Sequence, residues 1–304
     1  MRHPLLPALA LTLASPALAT DYHLYYLGGQ SNMDGFGTVS ELPADAASPV
    51  DRALIFHPQP TRDDTPSPPG IWAPVTPGHG WGFACDGKTN TLAPRFGPEL
   101  GFARRMAELH PDWHIAIIKY SLGGSSITPD SDDPRQRAPG HWDPDYNLTV
   151  NDLTGVNQYD HALHAIASAT AIADIDNDGE PDRLIPAGIV WMQGESDATF
   201  EANAANYEAD LKHLIDLLRA ALRVDDLPVA IGRISDSGQD PSDHKVWDFG
   251  ETVRAAQAAF CDHDPAAALV TTTDGYGHSD PYHYDTAGFL DLGRAFADAL
   301  ESLE

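Results

Sequence analysis

The sequence contains little cysteine and little positive charge. Its 304 residues include two cysteines, and 45 Asp and Glu outnumber 18 Lys and Arg, so that the formal net charge is −27. A protein surface of that sign repels phosphate backbones, which argues against a nucleic-acid partner. Two cysteines cannot build a four-cysteine zinc site, and no H-E-x-x-H motif is present. Cys85 and Cys261 form either one disulfide or two separate thiols.

Long apolar runs are also absent, apart from one near the N-terminus. Residues 1–19 combine a positive start at Arg2, the short apolar run LLPALALTLA and the small residues ALA at 17–19. This pattern predicts a secretory signal peptide that is cleaved after Ala19, and the alternative is a buried N-terminal helix. We therefore expect a secreted or periplasmic protein, without a membrane span, whose mature chain is residues 20–304.

Five apolar segments predict β-strands, and helical patterns lie between them. Several of these segments are continuous rather than alternating, as in strands whose two faces are both covered. Strands that alternate with helices over long crossovers indicate one parallel sheet of about five strands with helices on both faces. The predicted strands are 22–28, 114–121, 184–192, 227–235 and 268–273, and the predicted helices are 97–110, 159–173, 206–223, 251–260 and 286–300.

Two regions without clear periodicity interrupt this pattern. Residues 40–96 and 128–158 are rich in Pro, Gly and Asp, and we interpret both as surface insertions near the functional site. Core strands resume after each region, so neither is an interdomain linker. The sequence therefore predicts a single α/β domain over residues 20–304.

Polar and glycine-rich clusters follow four of the five predicted strands. The carboxyl ends of parallel strands meet at one rim of a sheet, where working groups collect. A serine hydroxyl, an imidazole with an acidic partner and glycine N–H groups would there supply the nucleophile, base and oxyanion donors of a serine hydrolase. No G-x-S-x-G motif is present, which argues against an ordinary α/β-hydrolase. The clusters hold Ser31 after the first strand, Gly123 and Gly124 after the second, residues 193–197 after the third, and Asp280 with His283 after the fifth.

These clusters resemble the sequence blocks of a known superfamily. GGQSNMDG, GGSSI, WMQGESDA and DPYHYDTAGFLDLG are similar to the blocks of SGNH (GDSL-like) hydrolases, and more narrowly to the carbohydrate-esterase branch of sialate O-acetylesterases and acetyl xylan esterases. The resemblance runs from about Tyr22 to about Leu300. It implies a three-layer, flavodoxin-like SGNH fold. It also implies removal of O-acetyl groups from an acetylated carbohydrate through an acyl-enzyme on Ser31, without a metal or organic cofactor.

The resemblance also assigns roles to individual positions. Ser31 matches the nucleophile, and its own N–H would contribute to the oxyanion hole. Gly124, or alternatively Gly123, matches the glycine whose N–H is the next oxyanion donor. His283 matches the general base, and Asp280 matches its acidic companion.

The third block departs from the pattern of the superfamily. It has Gly194-Glu195-Ser196-Asp197 where the superfamily has Gly-x-Asn-Asp, so the usual asparagine donor is missing. Gln193 is the candidate for that amide, which would complete the oxyanion hole. Glu195 is a second carboxylate near the rim. It either orients His283, together with or in place of Asp280, or pins the loop through backbone hydrogen bonds.

A separate acidic motif lies before the third predicted strand. The segment DIDNDGEPD has carboxylates at alternate positions and a glycine for a sharp turn, which resembles a calcium-binding loop. Ile185 stands at the twelfth position, where an EF-hand has a bidentate glutamate. The motif is either a small structural Ca²⁺ site or a solvated acidic loop. Its carboxylates are Asp174, Asp176, Asp178 and Asp182.

Other features leave the substrate and partners open. Trp72, Trp81 and Trp142 either line a sugar-binding cleft or anchor loops and core. Residues 147–149, NLT, form a glycosylation sequon. The alternatives to a carbohydrate O-acetylesterase are a broad-specificity lipid or aryl esterase with the same residues, and a non-catalytic sugar-binding module. The sequence does not fix the sugar, the acetyl position or the oligomeric state.

Overall fold

A seven-stranded sheet forms the centre of the protein. The computed structural model describes residues 19–59, 70–128, 141–144 and 157–303; the predicted signal segment, up to residue 18, and the sequon at 147–149 lie outside them. The strands are β1 (Asp21–Gly29), β2 (Gly37–Thr38), β3 (Ala53–Phe56), β4 (Trp72–Pro74), β5 (Ala84–Cys85), β6 (Asn90–Thr91), β7 (Arg95–Phe96), β8 (His114–Ser121), β9 (Arg183–Met192), β10 (Val229–Gly232) and β11 (Ala267–Val270).

The order of strands in the main sheet is β11-β10-β9-β1-β8-β3-β4. Neighbouring strands are parallel throughout, except that β4 runs antiparallel to β3 at one edge. The five predicted strands are therefore consecutive neighbours in one parallel sheet, as the sequence predicts. Two small antiparallel pairs, β2 with β7 and β5 with β6, lie outside this sheet.

Helices cover the sheet. α2 packs closely along α6, because both helices carry glycine at the contact: a Cβ at Gly101 would lie 2.2 Å from Leu290 O, and one at Gly293 would lie 2.1 Å from Pro98 O. The other long helices pack side by side, α3 against α4 and α4 against α5. No helix among the described residues is long and apolar enough to cross a membrane. The helices are α1 (Ser31–Asp34), α2 (Pro98–Leu109), α3 (Gln158–Thr170), α4 (Glu201–Leu222), α5 (Gly250–His263) and α6 (Thr286–Glu301).

Both faces of the central strands are buried. On one face the ring of Tyr25 in β1 packs against Phe102 of α2, with centroids 5.0 Å apart. On the other face Trp191 of β9 packs edge-on against Trp142 at 4.8 Å. Successive strand residues point to opposite faces, so a strand covered on both sides needs apolar residues at every position. This explains the continuous apolar runs in the sequence.

The interpretation of residues 40–96 as a surface insertion is wrong for two segments. β3 extends the parallel sheet beside β8, and β4 closes that edge. Ile55 and Phe56 are fully buried. The sequence pattern did not reveal these strands because they are four and three residues long and lie among Pro and Gly residues. Most of the second predicted insertion, 128–158, lies outside the described residues.

The two cysteines are separate thiols. Cys85 is buried in β5, and Cys261 is half-buried in α5. Burial, together with the nearby carboxylates of Asp264 and Asp262, raises the pKa of Cys261 to about 12. Its thiolate is therefore scarce at neutral pH, which argues against a nucleophilic role for Cys261.

Candidate active site

Three of the predicted sequence blocks begin at the same level of the sheet. Gly29, the last residue of β1, pairs with Ser121 of β8 on one side and with Met192 of β9 on the other. The backbone of Gly29 has φ +146°, and a Cβ there would lie 2.0 Å from Met192 O. Only glycine fits this turn, which takes the chain out of the sheet and directly into α1. Ser31, the first residue of α1, therefore stands at the rim.

A cavity of about 960 Å³ lies at this rim. Ser31, Gly123, Gly124 and His283 all line it, so the fold brings together the predicted nucleophile, base and oxyanion glycines from three distant parts of the chain. Gly123 lies directly beside the serine, since a Cβ on Gly123 would lie 3.3 Å from Ser31 Cβ.

His283 has a carboxylate partner in its own loop. Its Nδ1 lies 2.8 Å from Asp280 Oδ2, and Asp280 Oδ1 accepts the backbone N–H groups of Tyr282 at 2.8 Å and His283 at 2.9 Å. Partial burial alone would raise the pKa of Asp280, but the hydrogen bonds from His283 and from the Tyr282 backbone lower it below its usual value. The His283 ring also stacks on Phe36, with centroids 3.6 Å apart. A charged carboxylate at Nδ1 leaves Nε2 as the nitrogen that can take a proton.

The two candidate glycines differ in what their N–H groups do. The N–H of Gly123 donates to Asp34 Oδ2 at 2.8 Å. Gly124 has φ +76°, a left-handed conformation that favours glycine, and it lines the cavity. Of the two glycines, Gly124 is therefore the better candidate for an oxyanion donor beside the N–H of Ser31.

The predicted oxyanion role of Gln193 is wrong for this structure. Gln193 is fully buried and does not line the cavity. Its Nε2 donates to Asp197 Oδ2 at 2.6 Å and to Ser125 O at 3.1 Å, and its Oε1 accepts from Tyr207 Oη at 2.9 Å. The side-chain amide of Gln193 thus makes its hydrogen bonds beneath the loops, where it connects the third block to the second.

Glu195 is also buried beneath the cavity rather than placed beside His283. Its Oε1 accepts from Asn32 Nδ2 at 2.7 Å, and Asn32 Nδ2 in turn lies 3.1 Å from the backbone oxygen of Tyr282. Its Oε2 has no hydrogen-bond partner among the described residues. Burial raises the pKa of Glu195 to about 7. Of the two carboxylates that the sequence left open, Asp280 contacts His283 and Glu195 supports the loop through Asn32.

Asp34 is a site residue that the sequence analysis missed. Its carboxylate accepts hydrogen bonds from Ser121 Oγ and from the Gly123 N–H, so it ties α1, which carries Ser31, to the glycine loop after β8. Burial raises the pKa of Asp34 to about 6, although the hydrogen bond from Ser121 and the charge of Lys119 oppose this effect. The available signal was a carboxylate three residues after the serine, inside a cluster of otherwise small and uncharged residues.

A buried ion pair supports the same helix from below. Lys119 Nζ lies 2.6 Å from Glu99 Oε2, 2.7 Å from His79 O and 2.9 Å from Asp34 O. An ammonium group has three protons, so these three acceptors satisfy it. Both side chains of the ion pair are fully buried. The positive charge of Lys119 is thus committed beneath the site and does not reach the cavity.

The acidic loop places three of its four predicted carboxylates together. Asp174, Asp176 and Asp182 have carboxylate oxygens within 4.8 Å of one another. Asp178 is not part of this group, and its carboxylate accepts the N–H of Glu180 at 2.8 Å. The loop ends just before β9 and is tied to β1 by the hydrogen bond from Tyr22 Oη to Asp176 at 3.0 Å.

The three tryptophans considered as sugar ligands lie in different places. Trp142 and Trp72 are buried in the core, and Trp72 Nε1 donates to Ala169 O. Trp81 is 59% exposed and lines the cavity. Only Trp81 is thus placed where a ligand could touch it.

The fold is similar to that of several solved structures. An Arabidopsis thaliana protein matches with a TM-score of 0.60 and 19% identity, over 94% of this chain and 99% of that one. A carbohydrate acetylesterase from Xanthomonas citri matches with a TM-score of 0.60 and 18% identity, over 92% of this chain and 56% of that one. NanS matches with a TM-score of 0.56 and 16% identity, over 94% and 98% of the two chains. Identities this low establish the fold alone. Comparison with curated protein sequences gave no significant match.

The three-layer α/β fold gathers these blocks at the carboxyl end of its sheet, as the resemblance to SGNH hydrolases implies. A family profile described as "Carbohydrate esterase, sialic acid-specific acetylesterase" matches residues 21–302, which is nearly the whole described chain. The chain belongs to that family of carbohydrate esterases. It is accordingly a carboxylic ester hydrolase with O-acetylesterase function.

Proposed function

We propose that the protein is an exported serine esterase that removes O-acetyl groups from carbohydrates through an acyl-enzyme on Ser31. The observation that carries this proposal is the cavity that Ser31 shares with His283, whose Nδ1 is held by Asp280 at 2.8 Å. A hydroxyl becomes an effective nucleophile when an oriented base removes its proton.

The proposed reaction has two acyl-transfer steps. Ser31 Oγ attacks the acetyl carbonyl carbon while His283 Nε2 takes the hydroxyl proton, and the N–H groups of Ser31 and Gly124 donate to the oxyanion. His283 then gives the proton to the sugar oxygen, which leaves as a hydroxyl. Water then attacks the acetyl carbon of the acyl-enzyme while His283 Nε2 takes a proton from it. His283 returns this proton to Ser31 Oγ, and acetate departs. Every proton in this scheme moves through side chains that line the cavity.

The two alternatives predicted from the sequence receive less support. A non-catalytic sugar-binding module has no need for a histidine that is held by a carboxylate in the same cavity as a serine. A lipid esterase needs a path for a long acyl chain, whereas the cavity contains the acidic residues Glu201 and Asp248 beside its aromatic rings. Acetate release from acetylated xylan, compared with release from a long-chain acyl ester, separates these possibilities.

Ser31→Ala is the direct test of the nucleophile. We expect acetate release to fall by at least about 10³-fold, because the acyl-enzyme cannot form. Ser196→Ala is the matched control, since Ser196 lines the same cavity and has no assigned chemical role. A serine-directed phosphonate should add its mass to wild type and to the control, but not to the Ser31 variant. Near-normal turnover by Ser31→Ala would refute the proposal.

Export and calcium binding stay predictions from the sequence. β1 begins at Asp21, two residues after the predicted cleavage site at Ala19, so removal of the signal would leave the sheet intact. The mass of the protein recovered after expression of the full chain should then correspond to an N-terminus at Thr20. For the acidic loop, calorimetric titration with Ca²⁺ should detect binding that Asp174→Asn weakens. Absence of any heat of binding would contradict the calcium prediction.

A further inference from the structure

Aromatic rings form a continuous surface from the proposed base to the rim of the cavity. His283 stacks on Phe36 at 3.6 Å, and Phe36 stacks on Trp81 at 5.5 Å with an interplanar angle of 22°. Tyr282, which packs against Trp247 at 5.7 Å, forms another part of the cavity wall. Trp81 and Tyr282 are 59% and 51% exposed, although large apolar side chains of the described chain are mostly buried. Exposed aromatic rings at the mouth of a cavity are suited to contact the apolar face of a ligand.

The charged groups of the cavity carry only one sign. Glu201 and Asp248 are exposed residues that line it, and no Lys or Arg lines it among the residues that the structure describes. Arg95 lies close by, but its guanidinium donates to Phe36 O and Thr38 Oγ1 and does not line the cavity. Lys119 is committed to Glu99 beneath the site. Among the described residues, a ligand carboxylate would therefore meet negative charge without a compensating cation.

The N-terminus of a neighbouring helix does not reverse this sign. α4 begins at the cavity, and the N-terminus of a helix favours anions, but Glu201 in its first turn already supplies a negative charge there.

We propose that the cavity selects an uncharged, O-acetylated pyranoside, with its ring against Trp81, and discriminates against sugars that carry a carboxylate, such as sialic acids. The inference rests on the proposed esterase function and names the substrate class of that site. Hydroxyl groups of a neutral sugar can donate to the carboxylates of Glu201 and Asp248, whereas a sugar carboxylate is repelled by them. The specificity differs from the one that the description of the family carries.

The decisive experiment compares two substrates that differ in one charge. We would measure acetate release from 9-O-acetyl-N-acetylneuraminic acid and from its methyl ester, which lacks the carboxylate, at 10 mM and 300 mM salt, with an acetylated methyl xyloside as the neutral reference. We expect kcat/KM for the methyl ester to exceed that for the free acid by about tenfold at low salt, and by less at high salt, because salt screens exposed charges.

Removal of the two acidic charges in the cavity should reduce the ratio of kcat/KM for the methyl ester to kcat/KM for the free acid. The double variant Glu201→Gln/Asp248→Asn should bring the two substrates to within about twofold of each other, since the source of repulsion is gone. Asp225→Asn/Asp226→Asn is the matched control: it removes two exposed charges in the loop before β10, at the opposite end of the sheet, and should leave the ratio unchanged. Equal or faster hydrolysis of the free acid by the wild type at low salt would overturn the inference.

Trp81→Ala tests the aromatic contact separately. KM for the acetylated xyloside should rise about tenfold, while hydrolysis of 4-nitrophenyl acetate, which has no sugar ring, should change less than twofold. Leu92→Ala, another exposed apolar residue that does not line the cavity, should change neither. Ser31-dependent activity with unchanged KM in Trp81→Ala would refute the sugar contact alone. Lack of Ser31-dependent hydrolysis of every acetylated sugar would refute the proposed function and this inference with it.

Discussion

The carboxylate of Asp280, beside His283, and the carboxylates that hold the loops around the cavity have opposite properties. Asp280 has a side chain that is 41% exposed, and its hydrogen bonds hold its pKa below the usual value. Glu195 and Asp197 are buried and Asp34 is half-buried in the cavity wall, and desolvation raises the pKa values of Asp34, Glu195 and Asp197 to about 6, 7 and 6. Asp280 is kept charged beside the imidazole of the proposed base, whereas the other three carboxylates hold loops together through hydrogen bonds.

This contrast separates chemistry from support. A carboxylate that touches only His283 and its own turn can be altered at a small cost to the fold. A buried carboxylate such as Asp197, which accepts the N–H groups of Ile127 and Thr128 and the amide of Gln193, joins two blocks and cannot be removed without loosening both. Substitution of Asp280 should therefore lower activity without lowering stability, whereas substitution of a buried carboxylate should lower both.

Among the carboxylate substitutions, Asp280→Asn should produce the largest loss of activity with the smallest change in stability. The amide can keep its oxygen on the backbone N–H groups, but its NH₂ then faces His283 Nδ1 and favours the tautomer that carries its proton on Nε2. His283 can no longer take the proton of Ser31 at Nε2, and we expect kcat to fall by roughly 10²–10⁴-fold.

Kinetics and thermal unfolding together check this prediction. Asp240→Asn is the matched control, because Asp240 is another exposed carboxylate that caps a turn, through Ser242 N at 2.7 Å, without contacting His283. Both variants should unfold within a few degrees of the wild type. If Asp280→Asn kept its activity, or lost it only by unfolding, the proposal that Asp280 serves activity rather than stability would be wrong.

Asp34→Ala should give an intermediate loss of activity accompanied by a loss of stability. The substitution frees the Gly123 N–H and Ser121 Oγ and lets the glycine loop move relative to Ser31, which we expect to lower kcat by about 10- to 100-fold. Asp34→Asn should recover most of kcat, since its oxygen can accept from Gly123 and its NH₂ can donate to Ser121 Oγ. Asp210→Ala removes a half-buried carboxylate that accepts from Thr128 Oγ1, and provides the control. A kcat for Asp34→Ala equal to that of this control would show that Asp34 does not position the site.

The fold was accessible from sequence wherever burial covered both faces of an element. β1, β8 and β9 are continuous apolar segments of eight to ten residues, long enough for the pattern to stand out. β3 and β4 form strands because they pair at the edge of the sheet, and their own hydrophobic pattern does not indicate a strand. Short edge strands carry too few residues for their periodicity to be recognised.

The site was predictable to the level of strand ends and no further. Ser31 and His283 could be placed at the rim because each directly follows a strand or enters a helix. The direction of a side chain after a strand end depends on the turn, and Gly194 with φ +137° turns the third block so that Gln193 stays beneath the loops. The role of Asp34 depends on a contact across 89 residues, to Gly123, which no local pattern encodes.

Glu195→Gln should have the smallest effect on turnover and should show itself in the dependence of stability on pH. The folded protein holds the pKa of Glu195 at about 7, above the value of 4.5 of an unperturbed glutamate. Below pH 4.5 the carboxyl is protonated in both states, whereas between pH 4.5 and 7 the unfolded chain ionises first, so this residue makes the free energy of unfolding fall as pH rises. The shift corresponds to about 3 kcal/mol at most.

Glutamine cannot ionise, so Glu195→Gln should gain stability relative to the wild type between pH 4.5 and 7, as measured by urea unfolding at pH 4.5 and 7.5. Glu180→Gln, at an exposed loop position, should leave the pH dependence unchanged. A constant difference between Glu195→Gln and wild type at the two pH values would mean that Glu195 is ionised in the fold, and would place it with Asp280 rather than with the buried carboxylates.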